Sequence, residues 1–472
     1  MAFLTEAANR GSISTGYDID NSLKFEADNS EYMHYTCSGQ TDYERMAYSV
    51  WLKRTELGTG QVFMEFGHGT ANTSNLRIGF DSSDRLFCYG NSIVWRQTNR
   101  VFRDTSAWYH LFFLFDTTTP GGVSNNRIRI WVNGEMIDHG DFGVINNPGA
   151  GSAMGFNNSL NHSIGRQTED ATAYFCGYMA QVYASGGTPP VVGDFAETDD
   201  NGIWVPIDIS EITPPDANGF NLDFSTSGSL GNDISSRNND FTLVNIAAAD
   251  QATDTPTNNF ATLNPLHTTT KYTITEGGTN QVSSANGWGS SVGSVGVTSG
   301  KWYFEVQSAD TNGYTLLGVI DEDSLLSIYI NGDAHAGDAP YGITYYGGNG
   351  SIITNGSAVS GLAFPTWTTE TMGCALDLDN NKIYFSKSGT YGNSGDPAAG
   401  SNGLSLPTGG SGTWFISTST YFAATPAKTN QGGYTANSIS SAASDENGYG
   451  TFEYAPPSGY YALCTKNLAE YG

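Results

Sequence analysis

The sequence predicts an all-β protein made of two antiparallel sandwiches. Short runs of β-branched and aromatic residues recur along most of the chain, and apolar and polar residues alternate within them, as in strands with one buried face. Clusters of Gly, Ser, Thr and Asn separate these runs, and no sustained 3.6-residue apolar period with helix caps interrupts them. The chain has 472 residues with 58 Gly and 12% aromatic residues, which is enough for two or three domains.

Charge and composition exclude several classes of function. The formal net charge is −27, from 20 basic and 47 acidic residues, which argues against nucleic-acid partners and against docking on anionic lipid. No stretch approaches the roughly 18 apolar residues of a membrane span, so we expect no membrane insertion. The first residues lack the basic flank and apolar core of a secretion signal. The cysteines are scattered singly without metal-binding spacing, so we expect synthesis in a cytoplasm with free thiols.

The density of strand-like runs divides the chain into four segments. Residues 1–21 are small and polar without an apolar period, which predicts an N-terminal attachment arm that needs a partner's surface to order it. Residues 22–184 hold the first regular series of strands. Residues 185–265 are rich in Pro, Gly and acids but contain a short strand pair, and we expect this connector to cover a sheet edge. Residues 266–472 hold the second series.

The clearest hairpin of the first series is "RIRIWVNGEMID", residues 127–138. Ile128 and Ile130 alternate with two arginines, which predicts that the isoleucines face the core. Asn133-Gly134 supplies a two-residue loop, and Asn-Gly favours the primed turns whose twist matches that of paired strands. We therefore predict left-handed backbone angles at both loop residues.

A second hairpin is predicted within "CALDLDNNKIYFSKSGTYG", residues 374–392. Leu376 and Leu378 share one face of its first strand, and Asp377 and Asp379 share the other. The two asparagines that follow tolerate left-handed angles and suit a reversal of the chain. The alternation predicts a hairpin whose acidic face is solvated, and a calcium or ligand contact is the alternative.

Five motifs of the first series occur in a familiar order: "SLKFEADNSEYMHY", "YSVWLKR", "WYHLFFLFD", the "WVNG" hairpin and "GYMAQVY". Together they resemble the laminin-G-like and concanavalin-like lectin family over residues 22–184. The resemblance implies a jelly roll of two packed antiparallel sheets. Many members of this family bind sugars, often with calcium at loop carboxylates, but no complete sugar or calcium constellation can be matched to this sequence.

Three motifs of the second series, "GKWYFEV", "LGVID" and "MGCALDLDNNKIYFSKSGT", are similar in sequence and order to the signature strands of SPRY domains. The resemblance covers residues 266–472 and implies a second concanavalin-like sandwich. SPRY domains are binding modules that use loops at one end of the sandwich, so the resemblance implies no catalytic residues. The expected fold class is therefore all-β, with two concanavalin-like jelly rolls joined by a partly ordered connector.

The connector, with "GFNLDFSTSGSLGND", "DFTLVN" and "TDTPTNNFATLNPL", resembles segments in virion proteins of tailed bacteriophages. The resemblance implies a tail fibre, spike or other receptor-binding component that recognises a host-surface glycan or protein. It also implies a place on the virion surface after synthesis in the host cytoplasm and release by lysis. The partners expected are other virion proteins, contacted through the N-terminal arm, and two further copies in a homotrimer. A decoration protein that reinforces the capsid or tail is the alternative.

Aromatic residues in glycine-rich loops are the candidates for a ligand site, because sugars stack on aromatic faces. The candidates are Trp95, Tyr345, Tyr346, Trp367 and Tyr391. The competing interpretation assigns these rings to the core or to an interface. No cofactor is expected, although calcium remains possible.

The acidic candidates are weaker. Asp81 and Asp84 in "FDSSDRLF" could contribute to a calcium site, but aspartates of this kind more often form turns. A concanavalin-fold glycoside hydrolase would need paired carboxylates on one strand. Asp208 and Glu211 come closest to that pattern, yet Pro206 occupies the position of the first carboxylate. We therefore expect no enzyme activity and no catalytic residue.

Overall fold

The computed structural model describes residues 16–38, 44–68, 75–120, 125–152, 160–168, 171–267, 271–330 and 333–472. These residues form two compact units, 16–257 and 258–472, and are nearly all β, with 8% helix and 41% strand. Both units contain sandwiches of antiparallel sheets, which confirms the predicted fold class. Within the described ranges no helix is long and apolar enough to cross a bilayer.

The strands of the first unit are β1 (Ser22–Phe25), β2 (Tyr32–Thr36), β3 (Arg45–Arg54), β4 (Gln61–His68), β5 (Leu76–Phe80), β6 (Arg85–Gly90), β7 (Ile93–Val101), β8 (Trp108–Asp116), β9 (Ile128–Val132), β10 (Glu135–Met136), β11 (Phe142–Ile145), β12 (Asn161–Ile164), β13 (Gly177–Gly186), β14 (Ala196–Thr198), β15 (Trp204–Pro206), β16 (Phe220–Leu222), β17 (Thr242–Val244) and β18 (Gln251–Ala252). Short 3₁₀ helices lie at His139–Asp141, Val192–Asp194 and Ala248–Asp250.

Two sheets of the first unit pack face to face. One has the strand order β10-β9-β8-β3-β13-β1-β18, with β16 also pairing with β13, and the other has the order β11-β7-β6-β5-β4-β12-β2-β17. The side chains that alternate inward along these strands form one buried apolar core. Ile128 and Ile130 belong to this core, as their alternation predicted.

Residues 185–257 add strands to both sheets of the first unit. β16 pairs with β13, β17 pairs with β2 at a sheet edge, and β18 pairs with β1 at an edge of the other sheet. The hairpin β14–β15 stands apart from both sheets. Next to it, Phe195 and Ile209 pack against Phe112 and Tyr183 on the outer face of the first sheet. The added strands supply partners for edge N–H and C=O groups of β1 and β2.

Ion pairs of Asp250 and Asp254 attach the last part of residues 185–257 to the first sheet. Lys53 Nζ lies 2.7 Å from Asp254 Oδ2, and Trp108 Nε1 donates to Asp254 Oδ1 at 2.9 Å. Both charged side chains of this pair are buried. Close by in sequence, Asp250 lies 2.9 Å from the buried Lys24 Nζ. The segment is therefore held by charges that have lost their water as well as by strand pairing.

Residues 1–15 of the predicted arm lie outside the described residues. In the remaining part of the arm, Ile19 is buried and its backbone N–H donates to Thr257 Oγ1 at 3.0 Å. The hydroxyl of Ser22, the first residue of β1, donates to the backbone oxygen of Asp254 at 2.6 Å. The start of the described chain therefore packs on the first unit.

The turn between β9 and β10 has the predicted conformation. Asn133 has φ 49° and Gly134 has φ 81°, and the flanking residues pair across a two-residue loop. The side chain of Asn133 accepts a hydrogen bond from the backbone N–H of His110 at 2.8 Å. A Cβ atom at Gly134 would lie 2.6 Å from the ring of Trp204. The glycine therefore meets both a backbone and a packing requirement.

Replacing Gly134 by valine should lower the free energy of unfolding of the first unit by about 1–3 kcal/mol. A β-branched residue resists positive φ, and the added side chain would displace the Trp204 ring. Gly187→Val is the matched control, because Gly187 has φ 82° and nothing within 4 Å of an added Cβ. Thermal unfolding should show a larger loss for Gly134→Val than for Gly187→Val, and equal losses would contradict the contact with Trp204.

The strands of the second unit are β19 (Tyr272–Thr275), β20 (Asn280–Ser283), β21 (Gly289–Val292), β22 (Lys301–Ser308), β23 (Thr315–Asp321), β24 (Gly342–Tyr346), β25 (Ile352–Thr354), β26 (Ser357–Ala358), β27 (Thr371–Asp377), β28 (Lys382–Lys387), β29 (Thr390–Tyr391), β30 (Leu404–Ser405), β31 (Trp414–Thr420), β32 (Pro426–Asn430) and β33 (Tyr461–Ala462). Its α-helices are α1 (Leu325–Ile330) and α2 (Thr465–Tyr471), and short 3₁₀ helices lie at Pro265–His267, Glu322–Ser324, Ala336–Asp338 and Gly392–Ser394.

The second unit also packs two sheets around an apolar core. One has the order β19-β20-β32-β22-β27-β28-β29, with β30 pairing with β28 and β33 running parallel to β22. The other has the order β21-β31-β23-β24-β25-β26. The core includes Trp302 of β22, Val319 of β23 and Leu376 of β27. The predicted hairpin is β27–β28, in which Asp377 pairs with Lys382.

The C-terminal segment, which includes Phe452 and Tyr460, covers the outer face of the sheet that contains this hairpin. Phe452 and Tyr460 pack with Tyr303 and Tyr384 in a second buried cluster. Asp377 lies on this covered face and has no exposed surface. The prediction of a solvated acidic face is therefore wrong for Asp377, because a segment remote in sequence removes its water.

The two aspartates of the hairpin have structural partners. Asp377 Oδ2 lies 3.2 Å from Lys301 Nζ, and its other oxygen accepts from the backbone N–H of Asn380 at 3.0 Å. Asp379 is exposed, and its side chain accepts from the backbone N–H of Gly300 at 2.8 Å. Both carboxylates therefore stabilise the turn and its neighbours.

Candidate functional site

Four partly exposed aromatic side chains lie together at one end of the sheet β21-β31-β23-β24. Trp288 precedes β21, Tyr421 follows β31, Tyr314 precedes β23, and Tyr346 ends β24. Neighbouring strands are antiparallel, so the starts of β21 and β23 meet the ends of β31 and β24. In this register Thr420 pairs with the first residue of both β21 and β23. We name these four side chains the aromatic row.

The rings of the aromatic row contact one another. The ring centroids of Trp288 and Tyr421 are 5.3 Å apart, and those of Trp288 and Tyr346 are 5.7 Å apart, both in edge-to-face geometry. Tyr314 lies 5.6 Å from Tyr421 and 6.0 Å from Tyr346. These distances and angles are those that aromatic quadrupoles favour. The row is therefore a fixed surface and not a set of independent side chains.

Carboxylates of the adjoining loops accept hydrogen bonds from the backbone N–H groups of two residues of the aromatic row. Asp310 accepts the backbone N–H of Tyr314, and Asp333 accepts the backbone N–H of Trp288. Lys271 Nζ lies 3.5 Å from Asp333. The loop conformations that present the rings are thus set by hydrogen bonds to charged acceptors, which are stronger than those to neutral groups.

The hydroxyl groups of Tyr314 and Tyr346 are hydrogen-bonded to each other. Burial raises the pKa of Tyr346 above its ordinary value, and the hydrogen-bonded Tyr314 hydroxyl and the nearby charge of Asp310 raise it further. The Tyr346 hydroxyl therefore remains protonated at neutral pH. The row combines apolar ring surface with phenolic groups that can donate and accept hydrogen bonds, which suits a ligand with both C–H faces and hydroxyl groups.

The structure brings one of the five predicted ligand residues into this site. Tyr346 belongs to the row, whereas Trp95, Tyr345 and Trp367 are at most 1% exposed. Trp95 lies in the core of the first unit, and the other two lie in the core of the second. Tyr391 is partly buried at the covered outer face, and burial raises its pKa. The core interpretation describes the position of the three buried rings.

Sequence reasoning missed Trp288, Tyr314 and Tyr421. A local signal exists, because "NGW" precedes β21 and "NGY" precedes β23, so an aromatic residue follows the same turn-forming pair at two strand starts. Tyr421 stands at the opposite end of its own strand. Only the antiparallel strand order brings these positions together.

The two calcium candidates in the first unit have nitrogen donors around their carboxylates. Asp84 lies 3.1 Å from Arg54 and 2.8 Å from Arg103, and it accepts from the Gly58 N–H at 2.8 Å. Burial acts to raise the pKa of Asp84, but these donors outweigh it and the pKa lies below its ordinary value. Asp81 similarly accepts from the side chain and backbone of the nearby Arg85.

Groups that could bind a metal are not found in the part of the chain that the structure describes. There, no cluster of three or more His, Cys, Asp or Glu side chains has a geometry suited to a metal ion.

Asp208 and Glu211, the two carboxylates closest to a glycosidase pattern, follow β15 and are exposed. Asp208 accepts the backbone N–H of Ser210 at 2.9 Å. These two carboxylates lie in a turn after a short hairpin and do not line a sheet.

His110 occupies a closed environment in the first unit. Its ring stacks on Trp51 at 4.8 Å, its Nδ1 accepts from Trp204 Nε1 at 3.0 Å, and its Nε2 lies 2.9 Å from Ser49 Oγ. Since Nδ1 is an acceptor, the neutral ring carries its proton on Nε2, which points to Ser49. Burial lowers the pKa of His110 to about 3. The ring therefore cannot take a proton from the Ser49 hydroxyl.

A cysteine–histidine pair in the same unit is similarly arranged. None of the five cysteines forms a disulfide, and all five are buried. Cys37 Sγ lies 2.7 Å from His162 Nε2, while His162 Nδ1 accepts the Gly67 N–H at 3.0 Å. Burial lowers the pKa of His162 to about 3. The neutral ring thus directs an N–H at the sulfur, which does not produce the thiolate–imidazolium pair of thiol enzymes.

The domains match two known families. Residues 27–188 match the concanavalin A-like lectin/glucanases superfamily, and residues 301–394 match the SPRY domain. These matches confirm the two domain families that the sequence motifs resembled. Lectin-like and SPRY domains are binding-type folds. No curated protein matches the chain.

Several solved structures are similar in part. The SPRY domain of human HERC1 is 17% identical with a TM-score of 0.28, and the similarity covers 35% of this chain and 96% of that one. The PSpry domain of TRIM65 is 12% identical with a TM-score of 0.28, covering 36% and 91%. A Bacteroides ovatus protein to which carbohydrate binding is ascribed is 16% identical with a TM-score of 0.32, covering 48% and 58%.

Proposed function

We propose that the protein is a non-catalytic component of a phage virion surface, of tail-fibre or spike type, that recognises a host-surface glycan through the aromatic row. The observation that carries the glycan part is the set of four partly exposed rings at one end of the second sandwich. The phage part rests on the resemblance of the connector to segments of virion proteins. The two matched domain families are compatible with a binding function.

The chemistry of the row suits a saccharide. Pyranose rings present C–H faces that stack on aromatic side chains, and their hydroxyl groups need donors and acceptors at the rim. The Tyr314 and Tyr346 hydroxyls supply such groups beside the Trp288 ring. Because the four rings pack on one another and backbone hydrogen bonds anchor Trp288 and Tyr314, a ligand that binds the row immobilises few free side chains.

The proposal includes a homotrimer attached to other virion proteins through residues 1–21. Fibres and spikes commonly close by cyclic symmetry, and an arm without its own apolar period needs a partner's surface. A decoration protein that reinforces the capsid or tail is the second candidate, supported by the same resemblance of the connector. Electron microscopy of the particle distinguishes the two, since a trimer on the tail fits the fibre and a regular lattice on the head fits decoration.

Replacing Trp288 by alanine should weaken glycan binding by tenfold or more, which corresponds to about 1.4 kcal/mol of lost binding free energy. The measurement is binding of the full-length protein to immobilised bacterial lipopolysaccharide and capsular oligosaccharides. Tyr421→Ala should weaken binding in the same direction, because it removes a second ring of the row.

Tyr329→Ala is the control for this experiment. Tyr329 is 50% exposed in the same unit but lies outside the row, so its loss should leave binding unchanged. Melting temperatures of all variants separate loss of binding from loss of folding. If no glycan binds the wild type, or if Trp288→Ala binds as well as the wild type, the glycan proposal fails and the decoration role gains support.

A further inference from the structure

The outer face of the second sheet of the first unit carries a row of cross-strand polar neighbours. Ser163 of β12 pairs with His34 of β2 and with Glu65 of β4, Glu65 pairs with Arg77 of β5, and Arg77 pairs with Tyr89 of β6. Glu65 and Arg77 are buried and form an ion pair at 2.9 Å. Buried charged side chains on an outer face are unusual for a merely solvated sheet, where the outward side chains are exposed.

Beside this face, Arg166 is held between two tyrosines. Its guanidinium carbon lies 3.5 Å from the ring centroid of Tyr32, and its Nη1 donates to the Tyr174 hydroxyl at 3.2 Å. His34 also stacks on Tyr32, with the two ring centroids 6.0 Å apart. All four side chains are partly exposed. We name Tyr32, Arg166 and Tyr174 the arginine clamp.

The guanidinium of Arg166 has few acceptors. A guanidinium carries five N–H donors, yet in the described part of the chain Arg166 has one hydrogen bond, to a neutral hydroxyl, and no ion pair. Its Nε is buried without a hydrogen-bond partner. By contrast, Arg77 and Arg103 in the same unit pair with carboxylates. Among the described residues Arg166 thus has no carboxylate partner, in a chain with 47 acidic and 20 basic residues, and its guanidinium keeps N–H donors for a ligand.

We propose that the arginine clamp binds the carboxylate of an acidic saccharide. A planar carboxylate can accept two parallel hydrogen bonds from a guanidinium, which a point-charge cation cannot match. Stacking on Tyr32 fixes the plane of the Arg166 guanidinium. Its paired N–H donors are therefore oriented before a carboxylate binds. The adjoining aromatic rings of Tyr174 and His34 offer apolar surface for the sugar ring that bears the carboxylate.

This site goes beyond the aromatic row, because it lies in the first unit and requires a carboxylate on the saccharide that it binds. It does not need the row to function. The global charge of −27 repels polyanions, so binding of an acidic sugar must come from a local cationic group. The first unit would then select for acidic residues in a surface polysaccharide, whatever the second unit binds.

The test is calorimetric titration of the full-length protein with trigalacturonic acid and with its trimethyl ester. Trigalacturonic acid should bind, and the neutral ester should bind at least tenfold more weakly. Arg166→Gln should lower the affinity for the acid at least tenfold, and Arg166→Lys should recover only part of it because the fork geometry is lost. Arg100→Gln, a change at an exposed arginine outside the clamp, should have no effect.

One further variant keeps the test decisive. Glu169 and Asp170 lie outside the described residues, three and four positions after Arg166 in the sequence. The variant Glu169→Gln/Asp170→Asn should bind trigalacturonic acid at least as tightly as the wild type, since it removes two negative charges close to Arg166 in the chain. The proposal is overturned if millimolar trigalacturonic acid does not bind, if acid and ester bind equally, or if Arg166→Gln binds like the wild type while retaining its melting temperature.

Discussion

Replacing Asp254 by alanine should lower the free energy of unfolding of the first unit by about 3–5 kcal/mol. Asp254 accepts from Lys53 Nζ at 2.7 Å and from Trp108 Nε1 at 2.9 Å. Lys53 is fully buried, so the variant would leave an ammonium group without its carboxylate in a low-dielectric site. The Trp108 N–H would also lose its acceptor. Calorimetric unfolding of the full-length protein measures the change.

Two variants separate the charge from the other effects. Asp254→Asn keeps an acceptor oxygen but removes the negative charge, so most of the destabilisation should remain. Asp200→Ala, at an exposed position in the same unit, should change the free energy of unfolding by no more than about 0.5 kcal/mol. A loss below about 1 kcal/mol for Asp254→Ala would show that the buried pair does not hold residues 248–257 on the sheet.

Raising the pH from about 5 to about 8 should destabilise the wild type relative to Glu305→Gln by about 3 kcal/mol. Burial raises the pKa of Glu305 from 4.5 to about 7, although donors from Glu453, Tyr454, Tyr303 and Asn430 lower it in part. Between these two pKa values the folded protein holds a proton that the unfolded chain has released. The free energy of unfolding therefore falls as pH rises through this window, and it is flat above it.

The pH dependence identifies what holds the C-terminal segment. The carboxylate of Glu305 accepts the backbone N–H groups of Glu453 at 2.9 Å and Tyr454 at 2.8 Å, so its ionisation acts where this segment meets β22. Unfolding of the second unit, followed against pH for both proteins, gives the difference. Glu322→Gln, at an exposed position of the same unit, should run parallel to the wild type. Parallel curves for Glu305→Gln would rule out Glu305 as the titrating group.

Local sequence rules account for the parts of the fold that depend on neighbouring residues. The alternation of Ile128 and Ile130 predicts which side chains enter the core, because strand geometry alone sets that period. Asn133-Gly134 predicts a primed turn, since few residue pairs tolerate positive φ at both positions. The order of the motifs likewise indicates the two domain families that the comparisons bear out.

The sequence by itself thus determined the fold class, the hairpins and the two families, and the tertiary structure decided burial and the composition of the sites. Asp377 was expected in solvent, but a segment some eighty residues later covers it. Trp95, Tyr345 and Trp367 were candidates for an exposed ligand site, yet they fill the cores. The aromatic row joins Trp288 to Tyr421 through strand order. The alternation of apolar and polar residues is a property of neighbouring positions in the chain. Exposure and proximity depend on which distant strands and segments pair, and a local sequence pattern does not specify that pairing.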